Sequence, residues 1–152
     1  MEIKFKPIGI VHSPFKKKED INTHRFAHPA GFDSIEGELE IFKEYEAALK
    51  DTEGFSHLIV IFAFHQSEGY RLHTIPFLDD RLRGLFSTRS PHRPNPIGLT
   101  VVKVMERKGN ILRVQGIDMV EGTPILDIKP YTPRDQKSSI KYGWLEDKMK
   151  KK

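Results

Sequence analysis

Residues 99–117, with the sequence LTVVKVMERKGNILRVQGI, carry the clearest signal for the fold. Two runs rich in apolar residues, 99–106 and 111–117, flank a segment that contains Lys108, Gly109 and Asn110. Glycine and asparagine tolerate the positive φ angles that a tight turn between antiparallel strands requires. The sequence therefore predicts a β-hairpin over residues 99–117.

Further strands are predicted on both sides of this hairpin. Apolar residues alternate with glutamates over residues 35–41, which indicates a strand with one buried face. Residues 58–64 (LIVIFAF) are apolar throughout, which predicts a strand buried on both faces. Shorter strands are expected at residues 3–11, 81–86 and 125–128, and the best helix candidate is residues 44–49. About seven short strands predict an all-β fold with minor α content, a single antiparallel β-barrel domain with long loops.

Two stretches without apolar periodicity, residues 15–32 and 67–80, are expected to be surface loops. Three prolines in residues 90–98 (SPHRPNPIG) predict a stiff, extended loop, because proline supports neither a helix interior nor a sheet ladder. We expect one domain over residues 1–140, followed by a polar, lysine-rich tail at 141–152.

Composition excludes several classes of protein. The chain has 152 residues and no cysteine, which excludes a disulfide scaffold, a cysteine nucleophile and thiolate zinc. The N-terminal segment lacks an apolar targeting region, so we expect a cytoplasmic protein without membrane association. A net charge of +4 permits an anionic partner such as RNA but does not require one.

Several polar clusters allow both a functional and a structural interpretation. The histidines have no metal-site spacing, so no metal is expected, and the pair His65-Gln66 at the exit of an apolar strand is placed like part of a site. Arg89 and Arg93 could hold an anion or cap backbone carbonyls. The acidic residues at 118–127 could form a site or simply build a turn and a strand face. Residue types alone leave these alternatives open.

Five motifs together decide between these alternatives. They are residues 8–14 (IGIVHSP), 64–66 (FHQ), 84–90 (GLFSTRS), 93–98 (RPNPIG) and 118–131 (DMVEGTPILDIKPY). On these motifs the sequence is identified as a member of the TsaA/TrmO family. The resemblance implies a β-barrel that binds S-adenosylmethionine, forms a homodimer and methylates N6 of threonylcarbamoyladenosine at position 37 of a tRNA. The alternative function is a non-catalytic module that binds S-adenosylmethionine or RNA.

The resemblance also suggests roles for individual residues. The ammonium group of the cofactor needs hydrogen-bond acceptors, and its carboxylate needs a guanidinium donor. Its adenine needs an apolar pocket. Residues expected to bind it are Arg25, Ala27, His28, His65, Gln66, Arg89, Asp118, Met119 and Val120. The catalytic candidates are Asp118 and Asp127 as bases, with Lys129 and Tyr131 as orienting groups. Arg93 and Lys129 are expected to contact RNA. Residues 26–29 (FAHP) depart from the Pro-Arg-Gln-Pro of better-known relatives.

Overall fold

The computed structural model describes residues 1–28, 30–77 and 79–149 of the chain. Within these ranges it contains eight β-strands, two α-helices and four short 3-10 helices. The strands are β1 (Gly9–His12), β2 (Glu36–Ile41), β3 (His57–Ala63), β4 (His73–Thr74), β5 (Arg83–Gly84), β6 (Ile97–Lys108), β7 (Ile111–Gln115) and β8 (Pro124–Pro130). The α-helices are α1 (Lys18–Ala27) and α2 (Leu145–Met149), and the 3-10 helices span Lys43–Leu49, Thr52–Gly54, Leu85–Ser87 and Pro133–Asp135.

Six strands form one antiparallel sheet in the order β1-β2-β7-β6-β3-β8. Strand β8 pairs with β3 on one side and with β1 on the other, so the sheet closes on itself as a barrel. Strands β4 and β5 pair only with each other, in a small separate sheet. The prediction of a mainly antiparallel β-domain with few helices is confirmed, and the predicted seven strands are corrected to six in the main sheet.

The hairpin predicted at residues 99–117 is confirmed as β6 and β7. Lys108 pairs with Ile111, and Gly109 adopts a φ of 58°, the conformation that its position in the turn requires. The side-chain amide of Asn110 donates a hydrogen bond to the carbonyl of Ile41, at 2.7 Å. This bond joins the turn of the hairpin to the end of β2.

The core lies inside the barrel and is built by the alternation of side chains along each strand. On β3, Leu58, Val60 and Phe62 are buried, while Ile59 and Ile61 between them are only half-buried. The prediction that residues 58–64 are buried on both faces is therefore wrong. An antiparallel closed sheet has one interior face, and the opposite face of β3 is turned outwards.

Two other segments differ from the sequence-based predictions. The predicted loop at residues 15–32 contains helix α1, which has no buried residue and therefore no apolar periodicity to reveal it. Asp20 accepts hydrogen bonds from the backbone amides of Lys16 and Lys17 at the start of this helix, which stabilises its N-terminus. The strand predicted at residues 81–86 is shortened to β5, because the 3-10 helix Leu85–Ser87 interrupts it.

The two ends of the chain also differ from the sequence-based predictions. The first strand begins at Gly9 rather than at residue 3, and Ile3 and Phe5 are exposed. The predicted tail contains helix α2, and residues 150–152 lie outside the described residues, as does residue 29. No helix in the described part of the chain is both long and apolar enough to span a membrane. The domain boundary at residue 140 and the cytoplasmic location stay predictions.

Candidate functional site

The carboxyl group of Asp118 is the centre of the candidate site. Asp118 follows β7, and one of its oxygens accepts a hydrogen bond of 2.7 Å from the hydroxyl of Thr100 on β6. Thr100 lies opposite Val60, whose side chain is fully buried, so this contact is on the interior side of the sheet. Burial raises the pKa of Asp118 above its usual value, and the Thr100 hydrogen bond and the charges of Arg25 and Arg89 offset this only in part.

Arg25 reaches the site from the last turn of α1. Its guanidinium lies 5.2 Å from the ring centre of Phe77 and 5.7 Å from that of Phe32. Cation–π contacts with two rings restrict the guanidinium, which prepares it to bind an anion. Ala27 and His28 at the end of α1 are exposed, and the His28 ring stacks on the ring of His24 at 4.2 Å.

The loop that carries Arg89 and Arg93 is held by its own side chains. The Thr88 hydroxyl is buried and donates to the carbonyl of Leu85 at 2.8 Å. Nη1 of Arg93 donates to the carbonyls of Thr88 and Ser90, at 2.9 and 3.1 Å. Arg93 therefore caps backbone carbonyls, which was one of its two sequence-based interpretations, while Arg89 is exposed beside the site.

The remaining residues expected to bind the cofactor lie in two other segments. His65 and Gln66 are exposed in the turn after β3. The backbone amide of Phe64 donates to the carbonyl of Pro96 at 2.7 Å, which ties this turn to the proline-rich loop. Met119 and Val120 follow Asp118, and their side chains are buried. Polar contacts from these two residues to a ligand are therefore expected from their backbone groups.

The other three catalytic candidates lie away from Asp118. On β8, Asp127 and Lys129 pair opposite Ile61 and Ile59, which places them on the outer face of the barrel. They form an ion pair with a distance of 3.1 Å between Nζ of Lys129 and Oδ2 of Asp127. The ring of Tyr131 packs edge-on at 6.3 Å from the ring of His57. The four residues predicted to be catalytic thus form two groups rather than one cluster.

A cluster around His12 was not predicted from the sequence. Its Nδ1 lies 2.8 Å from Oε2 of Glu121, and its Nε2 lies 2.9 Å from Oε1 of Glu40. The second oxygen of Glu121 accepts a hydrogen bond from the backbone amide of Ser13. Hydrogen bonds to Glu40 and Glu121 raise the pKa of His12, because they stabilise the charged form of the imidazole. The available signal was that His12 and Glu121 both fall within the family motifs.

Comparison with known proteins agrees with these features. The family profile described as the tRNA-methyltransferase O N-terminal domain matches residues 10–136. The chain belongs to the tRNA-methyltransferase O family. This match covers the whole barrel except the first residue of β1, and it includes every residue placed around Asp118.

Individual relatives of this family support the same conclusion. A probable S-adenosyl-L-methionine-binding protein of Pyrococcus abyssi is 46% identical over 150 residues, which cover 98% of this chain and 79% of the relative. The tRNA (adenine(37)-N6)-methyltransferase of Escherichia coli is 39% identical over 140 residues, covering 86% of this chain and 58% of the enzyme.

Solved structures of the family share the fold. The crystal structure of TrmO from Pseudomonas aeruginosa matches with a TM-score of 0.74 and 34% identity, over 94% of this chain and 62% of that one. The chain thus spans about three fifths of the length of that structure and of the Escherichia coli enzyme.

Proposed function

We propose that this protein is an S-adenosylmethionine-dependent methyltransferase that acts on tRNA, at N6 of threonylcarbamoyladenosine at position 37. The observation that carries the proposal is the buried Asp118 carboxyl, which Thr100 holds by a hydrogen bond and which feels the charges of Arg25 and Arg89 from two other segments of the chain. Relatives named as S-adenosyl-L-methionine-binding proteins and as tRNA (adenine(37)-N6)-methyltransferases support it. The non-catalytic alternative is not favoured by these comparisons.

The residues around Asp118 fit the amino-acid part of the cofactor. A carboxylate that feels the charges of two guanidinium groups matches an ammonium group and a carboxylate carried on one carbon. We assign the ammonium group to Asp118 and the carboxylate to Arg89, with Arg25 beside it. We assign the remainder of the cofactor to His65, Gln66, Ala27, His28 and the backbone of Met119 and Val120.

When bound, S-adenosylmethionine supplies an electrophilic methyl group. The N6 nitrogen of the adenosine forms a bond to the methyl carbon as the sulfur–carbon bond breaks, and N6 then loses one proton. Asp118 and Asp127 are the two carboxylates that we propose as acceptors of this proton. The pH profiles of kcat for Asp118→Asn and Asp127→Asn distinguish them, because only loss of the acceptor removes the acidic limb of the profile.

The RNA contacts are assigned to three polar residues outside the cofactor site. Lys129 lies on β8, Tyr131 follows the last residue of that strand, and Arg93 lies in the proline-rich loop. Arg93 uses Nη1 for carbonyls of its own loop, which leaves its other donors for a phosphate or a carboxylate. We propose that these three side chains position the tRNA rather than the cofactor.

A homodimer is proposed on the outer face of β3 and β6. Leu99 and Val101 on β6 are exposed, and they lie opposite the half-buried Ile61 and Ile59 on β3. These four side chains form a continuous apolar strip, which is typical of a protein interface. In sedimentation velocity, wild type is expected as a dimer and Leu99→Glu as a monomer, with Lys50→Glu as the charge-change control. A monomeric wild type contradicts this assignment.

The proposed function is tested by methyl transfer with the purified protein. The chain is incubated with methyl-labelled S-adenosylmethionine and with tRNA that carries threonylcarbamoyladenosine, and the nucleosides are then separated. We expect label on N6 of that nucleoside and one equivalent of S-adenosylhomocysteine. Label on unmodified adenosine would correct the substrate, and intact cofactor after prolonged incubation with total RNA would contradict the enzymatic function.

A further inference from the structure

The side chain of Phe86 is strongly exposed next to an arginine. Phe86 lies in the middle of the 3-10 helix Leu85–Ser87, and 81% of its surface is accessible. The guanidinium carbon of Arg93 is 5.8 Å from the centre of the Phe86 ring. Most of the ring surface is therefore in contact with solvent, although burying such a ring would be favourable.

The backbone that carries Phe86 is firmly held on both sides. The Leu85 side chain is buried, and the Ser87 hydroxyl donates to the carbonyl of Gly84 at 2.7 Å. The indole Nε1 of Trp144 donates to the carbonyl of Ser87 at 2.9 Å. The backbone that carries the exposed ring is thus fixed, so a ligand that stacks on the ring needs to order little of the chain.

Arg93 is equally restricted. Its two hydrogen bonds to the carbonyls of Thr88 and Ser90 hold one end of the guanidinium, which keeps the charged plane close to the Phe86 ring. An aromatic ring and a fixed guanidinium at this distance form a surface on which a planar, electron-rich group can stack.

The surroundings of this pair favour an anionic chain. Ser90, whose carbonyl accepts from Arg93, also lines an open depression together with Arg71, His73 and His92. Tyr70 contributes a further aromatic ring to the same depression, and Glu68 is its one acidic lining residue. An arginine and aromatic rings that line one depression are typical of surfaces that bind single-stranded nucleic acid.

We propose that Phe86, supported by Arg93, is a stacking platform for an unpaired base of the RNA substrate. The assignment rests on the proposed function, because it takes tRNA as the partner and places one loop nucleotide on this ring. Stacking on a π-face is tolerant of sequence, so this contact contributes affinity and position rather than base identity. Phe86 lies three residues before Arg89, which is assigned to the cofactor.

The proposal is tested with a 17-nucleotide anticodon stem-loop RNA in which single loop bases are replaced by 2-aminopurine. Stacking quenches the fluorescence of this base analogue, so wild type is expected to quench it at one loop position. Phe86→Ala and Phe86→Leu are expected to lose the quenching and to bind the RNA about tenfold more weakly, whereas Phe86→Trp retains both. Affinity for S-adenosylmethionine is expected to be unchanged in all three.

Phe5→Ala is the matched control, because the Phe5 side chain is 70% exposed and lies far from the site in the sequence. Equal quenching and RNA affinity in wild type and in both Phe86→Ala and Phe86→Leu would overturn the platform while leaving methyl transfer by wild type intact. Loss of a dimer in Phe86→Ala would instead assign the ring to a second copy of the chain, which also overturns the proposal. Failure of wild type to bind any tRNA would overturn both this proposal and the proposed function.

Discussion

Nζ of Lys148 lies 3.1 Å from Oδ1 of Asp79, whose side chain is completely covered. The second oxygen of Asp79 accepts a hydrogen bond of 2.8 Å from Nε of Arg83, and the Arg83 guanidinium lies 5.4 Å from the ring centre of Trp144. These contacts connect helix α2 to β5, which directly precedes the 3-10 helix that carries Phe86. The hydrogen bond from Arg83, with a second from Lys148, holds the pKa of Asp79 well below its usual range.

Lys148→Gln is expected to loosen this connection. The variant leaves a covered carboxylate with one cation instead of two, so the melting temperature falls and the segment 79–88 exchanges its amide hydrogens faster. The measurements are thermal unfolding and hydrogen–deuterium exchange. Lys141→Gln removes an exposed lysine nearby in the chain and should behave like wild type. Unchanged exchange of segment 79–88 in Lys148→Gln would show that α2 does not hold it.

His12 should make the stability of the barrel depend on pH. Its pKa in the folded state is raised above 6.5, so the stabilising charge is fully present below that pH and is lost as the pH rises through the raised value. Urea unfolding of wild type between pH 6 and pH 9 is expected to show a decrease on the order of 1 kcal/mol, since partial exposure screens the two pairs. His12→Gln should lack this decrease, whereas His73→Gln should retain it. A decrease of the same size in His12→Gln would exclude His12 as its source.

Gly98 is expected to tolerate no side chain. A Cβ atom built there would overlap the ring of Phe62, which is part of the core, and would also crowd the ring of Phe64. Gly98→Ala should therefore lower the free energy of unfolding by about 2 kcal/mol. Gly54→Ala is the control, because no atom lies within 4 Å of the position of its Cβ. Equal midpoints in chemical denaturation for the two variants would contradict the packing described here.

Arg89 and Lys129 are expected to separate cofactor binding from RNA binding. Arg89→Ala should weaken binding of S-adenosylmethionine by about 2 kcal/mol, the loss typical of a charge-assisted pair, and Arg89→Lys should restore it only in part. Lys129→Ala should leave cofactor affinity unchanged, weaken RNA binding and reduce its salt dependence by about one counterion. Calorimetry and salt-dependent RNA binding measure these effects. Equal loss of cofactor affinity in both alanine variants would contradict this division.

The sequence could predict the hairpin of β6 and β7 because its turn residues and apolar runs are local signals. Helix α1 could not be predicted in this way, since no residue of it is buried and Arg25 is held by Phe32 and Phe77 from other segments. The 3-10 helix that follows β5 also has a contact from far along the chain, since Trp144 donates to the carbonyl of Ser87. Such long-range contacts leave no periodic pattern in the sequence.

The composition of the candidate site could be predicted only in part. The family motifs contain Arg89 and Asp118, but nothing in the residue spacing shows that Arg25 approaches them, or that Thr100 binds the Asp118 carboxyl. The same motifs place Asp127 and Lys129 near Asp118 in the sequence. The bulge in the pairing of β3 with β8 and the outward direction of both side chains separate them in the structure.

Cofactor binding by Asp118→Asn, measured by calorimetry against pH, tests the central assignment most directly. The raised pKa of Asp118 means that ionising this carboxyl costs folding free energy at neutral pH, so the variant should be at least as stable as wild type there. Wild type is expected to bind S-adenosylmethionine more tightly as the pH rises through that pKa, because its carboxylate pairs with the ammonium group. The variant should bind the cofactor at least tenfold more weakly at neutral pH, and its affinity should not increase with pH. Equal affinity and equal pH dependence in the two proteins would contradict the assignment of Asp118 to the cofactor.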